Sequence, residues 1–181
     1  MGFAPFENRL CRNIRNLLSN SFLEALEKEH MDPVRKTALA LKGKTLAPWH
    51  IDYIDNRLAR YQIILAQLKS SPEIFTTACL IWDQSLFFEC HEWLELFWVQ
   101  AKGNEKKLIQ ALIRAAATYV LLEAGRTSGA KKSAEKALAF LRVNRSAIPP
   151  IFKPDRLISA LNCLEFPPPH FLNNPLKKHG N

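Results

Sequence analysis

The stretch FFECHEWLELFW, Phe87 to Trp98, decides the architecture of this chain. Its apolar residues recur at three- and four-residue spacing over twelve positions bounded by turn signals, the pattern of a helix. It is apolar on more than one side and also carries one histidine and three glutamates. A helix of that kind has to pack between neighbours, so the segment predicts an all-α fold built as an antiparallel helical bundle.

On a helical wheel with His91 at zero, Trp98 falls at about −20°, Glu95 at about +40° and Phe87 at about −40°. Phe88 and Leu94 complete that face. The wheel therefore sets His91 and Glu95 in the middle of an aromatic wall made by Phe87, Phe88 and Trp98, turned inward. It sends Glu89 to the opposite side and Glu92 to the flank. Trp93, Leu96 and Phe97 form a second apolar face, expected to be covered by the N-terminal helices or to serve as an interface.

The flanking sequence supplies the neighbours. Residues 105–124 are the most apolar helix, and the run Ala115-Ala116-Ala117 lets another backbone approach closely. Gly125 ends that helix, and Ser128 begins an amphipathic one with Ala134, Leu138 and Leu141 inward and Lys131, Lys132 and Lys136 outward. Before the motif, a helix over 73–82 leads to a turn at Asp83–Ser85. Further upstream, residues 6–29 have helical period, Asp32-Pro33 reads as a helix start, and a long helix follows Pro48. In that last helix Ile51, Ile54, Leu58, Tyr61, Leu65 and Leu68 form a stripe, with Asp55, Arg57 and Arg60 outside it. The helix is expected to stop at Ser70–Pro72. Seven of the 11 prolines follow residue 148. There a short helix should start at Pro154, and Pro167–Pro169 should open a loose tail. The expected organisation is an N-terminal helical extension over 1–72, a bundle core over 73–145 and a Pro-rich segment over 146–181.

Composition narrows the function classes. Net charge is +8 in 181 residues, with the excess spread along the chain, as on a solvated surface. No uncharged apolar run is long enough to span a membrane, and the N-terminus lacks the apolar core of a signal peptide. A cytoplasmic protein is expected. Its 4 cysteines, without paired spacing, read as buried free thiols.

The His91–Glu95 pair admits three readings: a buried polar pair that fixes helix register, an acid or base in a pocket with Glu92 beside it, or two metal ligands. HEWLE puts Glu95 where a zinc-protease helix needs its second histidine, and no Glu-x-x-His pairs of the di-iron kind occur. The residues themselves imply no cofactor and leave metal binding as an alternative. For the buried reading, Gln110 on the next helix is the favoured hydrogen-bonding partner, completing a cluster of His91, Glu95 and Gln110.

With these residues in place, residues 80–141 resemble a family catalogued as domain of unknown function 309, small all-helical proteins. FFECHEWLELFW is similar to its F-x-E-x-H-E-x-L-E-x-x-W signature. LIQALIRAAATYVLLEAGRTSGA is similar to its second helix and following turn. The matching positions include Phe87, Glu89, His91, Glu92, Glu95 and Trp98, then Gln110, Gly125 and Gly129. Ala111, Arg114 and Ser85 depart from the pattern. The resemblance implies the helical fold, with tetratricopeptide-like helix pairs as an analogy, and carries no established activity.

Three functions compete. The first is an interaction or scaffold module for a protein or peptide partner, as a monomer or small homo-oligomer. The second is an enzyme or metal-binding protein using His91 and Glu95. The third is weak nucleic-acid binding through Arg126, Lys131, Lys132, Lys136, Arg142 and Arg145, without stacking aromatics to support it. The first is the reading adopted.

Overall fold

The computed structural model describes residues 2–68 and 73–172, and among them every regular element is a helix. The chain divides into two compact units, Met1–Glu73 and Ile74–Asn181.

The first unit contains α1 (Arg9–Lys28), α2 (Asp32–Lys42) and α3 (Pro48–Gln67). Asn8 caps α1 through its side chain, which accepts from the Cys11 N–H. Pro33 and Pro48 sit in the first turns of α2 and α3, where a missing N–H costs nothing. The stop expected at Ser70–Pro72 lies outside the described residues.

The buried face of α3 is His50, Ile54, Arg57, Tyr61 and Ile64. This corrects the sequence stripe, which shares only Ile54 and Tyr61 with it and leaves Ile51 exposed. The true face is rotated by one residue and includes two polar side chains that a hydrophobicity pattern discards. Both are satisfied where they lie. His50 accepts the Ala47 N–H at Nδ1 (3.2 Å) and sets Nε2 3.5 Å from Cys11 Sγ. Arg57 donates from Nε to the Tyr53 hydroxyl at 3.1 Å and lays its guanidinium over the Tyr53 ring. With the charged head occupied, its stem can be buried as if it were apolar. Phe22 of α1 stacks on Tyr61 and completes this core.

The second unit contains α4 (Ile74–Asp83), α5 (Phe87–Trp98), α6 (Gly103–Glu123), α7 (Thr127–Leu141) and α8 (Pro154–Cys163). Two single-turn 3-10 helices, Arg145–Ala147 and Pro150–Phe152, join α7 to α8. Short connections make α5, α6 and α7 antiparallel neighbours, and α6 packs against both of the others. Ala115 and Ala116 are buried there, as the small-residue run implies. Gly103 and Asn104 open α6. Gly125 takes φ +68° in the α6–α7 turn, a conformation L side chains rarely adopt.

Pro167–Pro169 do not open a loose segment over the described residues, and the rest of the expected tail lies outside them. Pro169 is buried, and its carbonyl accepts from the Trp82 indole at 3.1 Å. Phe171 packs on Trp82 and Phe152, and the backbone N–H groups of Phe171 and Leu172 each donate to the Asp83 carboxylate at 2.8 Å. Proline lowers the cost of ordering such a strap, and Asp83 accepts from two backbone amides that follow the proline run. Cys11, Cys79 and Cys90 are buried as expected, but Cys163 is exposed at the end of α8.

Candidate functional site

The inward face of α5 is not the one the wheel favoured. Phe87, Glu89, Cys90, Trp93 and Leu94 are buried, and Glu89 has no exposed surface at all. Cys90 donates to the Ala78 carbonyl, and its thiol is pushed up by burial first and by the neighbouring Glu89 and Asp83 charges second. Trp93 donates its indole N–H to the Ile74 carbonyl at 2.9 Å, so it is core. Of the candidate interface, Phe97 is half-buried against Trp93 and only Leu96 is exposed.

His91 and Glu95 therefore stand on the outer side, which corrects the buried cluster. Glu95 is 48% exposed, against 24% for His91 and 28% for Glu92. His91 Nδ1 lies 3.2 Å from Glu92 Oε1, and Nε2 lies 3.7 Å from Glu95 Oε1. The first is a hydrogen bond and the second an ion-pair distance without one. The Phe88 ring runs parallel to the His91 imidazole, while Phe87 is inside, so the aromatic wall is split between two faces. One ligand atom from each of His91, Glu92 and Glu95 lies within 4.8 Å of the others, the three-ligand group found among the described residues.

Gln110 does not reach this group. It lines a surface cleft of about 440 Å³ with Trp98, Lys106, Lys107 and Arg114, opposite Lys136, Ala139 and Phe140 of α7. Lys106, Gln110 and Arg114 follow one another at four-residue spacing and so share a face of α6. The Lys106 ammonium sits 4.5 Å from the centre of the Trp98 ring. Arg114 accepts Ser133 Oγ–H at its carbonyl, which ties α6 to α7 beside the cleft, and its guanidinium reaches the Lys136 carbonyl at 3.5 Å. Among the described residues no carboxylate lines the cleft, and none of its four cations is in an ion pair. The sequence reading named Trp98, Gln110, Arg114 and Lys136 but did not join them. The signal was the polar row at 106, 110 and 114 on an otherwise apolar helix.

The remaining basic residues of α7 are distributed differently. Arg142 bonds to Asn162 and Arg145 to Asp155, so these two are engaged by α8. Lys131 and Arg142 flank a second groove of about 700 Å³ between α7 and α8, which Glu135 also lines. No continuous basic track runs along α7. No helix among the described residues is long and apolar enough to cross a membrane.

Comparison with known proteins agrees with the motif. Residues 75–133 match the model of the family described as Domain of unknown function (DUF309), about a third of the chain. Neither the curated proteins nor the solved structures give a match.

Proposed function

We propose that the chain is an interaction module that binds an acidic segment of a protein partner in the α5–α6–α7 cleft. The observation that carries this is the lining of four cations with no carboxylate among them. Cations gathered without a counter-charge repel one another, and a negatively charged occupant relieves that repulsion. A cleft of about 440 Å³ suits a few side chains. With Arg142 and Arg145 engaged elsewhere, a phosphate-tracking surface is reduced. Trp98 and Phe140 add apolar surface for a neighbouring side chain of the ligand.

Calorimetry of the full chain with a glutamate-rich peptide and with its lysine-rich counterpart tests the reading. The acidic peptide should bind, with an affinity that falls as salt rises. Lys107→Glu and Lys136→Glu should each weaken it about tenfold or more, since each reverses a charge in the cleft. Equal binding of both peptides, or no effect of the two changes, overturns it.

A second reading rests on the convergence of His91, Glu92 and Glu95, whose donor set suits a divalent cation such as zinc or manganese. All three ligands come from one helix, so affinity should be modest. Titration with zinc should raise the melting temperature of the chain but not of His91→Ala. An identical rise in both removes this reading.

A further inference from the structure

Resting on the cleft as the docking site, we infer that the acidic segment it takes carries a phosphorylated side chain. Lys106, Lys107, Arg114 and Lys136 face one cleft, and a single carboxylate would leave most of that charge uncompensated. A phosphoryl group brings about −1.5 to −2 charge and three strong acceptor oxygens in one compact head.

The donors match that head. Arg114 supplies a planar fork, the lysines supply ammonium groups, and the Gln110 amide adds neutral N–H donors. Arg114 is also held in place, through its own carbonyl's bond to Ser133 and its guanidinium's reach to the Lys136 carbonyl.

Lys106 already rests on Trp98 and can turn from the ring to the phosphoryl group, leaving the indole face for an apolar neighbour in the ligand. The occupant is thus a phosphorylated serine or threonine followed or preceded by an apolar residue.

The experiment uses the full chain and two peptides of one sequence, Gly-Glu-Ser-Leu-Glu-Gly, with the serine free or phosphorylated. Binding is read by calorimetry, with a single-stranded oligonucleotide of equal charge as a third ligand. The phosphorylated peptide should bind about tenfold or more tighter than the free one. Lys106→Glu and Arg114→Glu should abolish that preference, while Lys131→Glu, outside this cleft, should keep it. Retained helical circular dichroism shows that each variant is folded. Where Arg114→Glu fails to fold, Lys106→Gln supplies the same test.

If both peptides bind equally and the cleft changes weaken both, the docking site stands and the phosphoryl inference fails. If neither peptide binds, both fail. Tighter binding of the oligonucleotide than of the phosphopeptide, or a preference that survives Lys106→Glu, overturns the inference.

Discussion

Glu89 and Glu95 are the same residue on the same helix, six positions apart, and their fates are opposite. Glu89 is sealed inside the second unit beside Cys90 and Asp83, whereas Glu95 is about half exposed and stands near a histidine that keeps about a quarter of its surface. A hydrophobicity wheel assigns them the other way round because α5 is aromatic on both sides. When two faces are almost equally apolar, neighbours decide, and α5 turns toward α4 and α6 the face that carries Cys90, Trp93 and Leu94. The larger lesson is that the most aromatic face of a helix need not be the inner one. Aromatic rings with a polar edge, such as Trp98 under Lys106, also serve at a half-wet surface.

The largest effect that separates the two faces is expected at Trp93 and Leu96. Trp93 is 5% exposed and its indole is hydrogen-bonded. Trp93→Ala should cost about 3–5 kcal/mol through the cavity it leaves and the Ile74 carbonyl it strips. Leu96→Ala, on the exposed side, should stay within about 0.5 kcal/mol. Urea unfolding of the two variants checks this, and similar losses would mean that the inner face has been misassigned.

Asp83 offers an intermediate case, a buried carboxylate whose role is visible. Asp83→Ala leaves the amides of Phe171 and Leu172 without an acceptor and should cost about 1–3 kcal/mol, with loss of the C-terminal strap. Burial raises its carboxyl above the usual range, and the two amide bonds oppose that shift without reversing it. A carboxyl so raised binds its proton more tightly in the folded state. Its contribution to stability is therefore largest below the unfolded value and falls as pH rises through the folded one. The stability advantage of the wild-type chain over Asp83→Asn should shrink as pH goes from about 4 to about 7, followed by thermal melting. An advantage that grows with pH would mean that the amide bonds outweigh desolvation.

Much of the fold was legible, and the reasons are physical. Proline at the starts of α2, α3 and α8 and glycine after α6 mark boundaries through backbone constraints that neighbours cannot override. Faces were less legible than boundaries. On α3, His50 and Arg57 are inner residues because a cap, a thiol and a tyrosine satisfy them, and none of those partners can be inferred from period alone. The candidate site was legible only in fragments. Trp98, Gln110 and Lys136 lie on three different helices, and only their packing gathers them with Lys106 and Arg114 around one cleft. Pro167–Pro169 misled for a related reason: a proline run says that the chain is not helical, and whether it is anchored depends on Trp82 and Asp83, about ninety residues away.

The smallest effect, and the finest test of the two faces, is at Glu95 itself. A buried, hydrogen-bonded Glu95 would lose about 1–3 kcal/mol on truncation to alanine. The exposed Glu95 stands at i,i+4 from His91 with its carboxylate 3.7 Å from Nε2, beyond hydrogen-bond reach, in water of high dielectric. Pairs of this kind contribute about 0.3–0.5 kcal/mol. Glu95→Ala should therefore shift stability by about 0.5 kcal/mol or less. A double-mutant cycle with His91→Ala should give a coupling of about 0.5 kcal/mol or less, fading as salt is added. Glu92 is closer to the imidazole, so Glu92→Ala should couple to His91 at least as strongly as Glu95→Ala does. A salt-insensitive coupling to Glu95 of about 1 kcal/mol or more would place the pair in a desolvated setting and return it to the inner face.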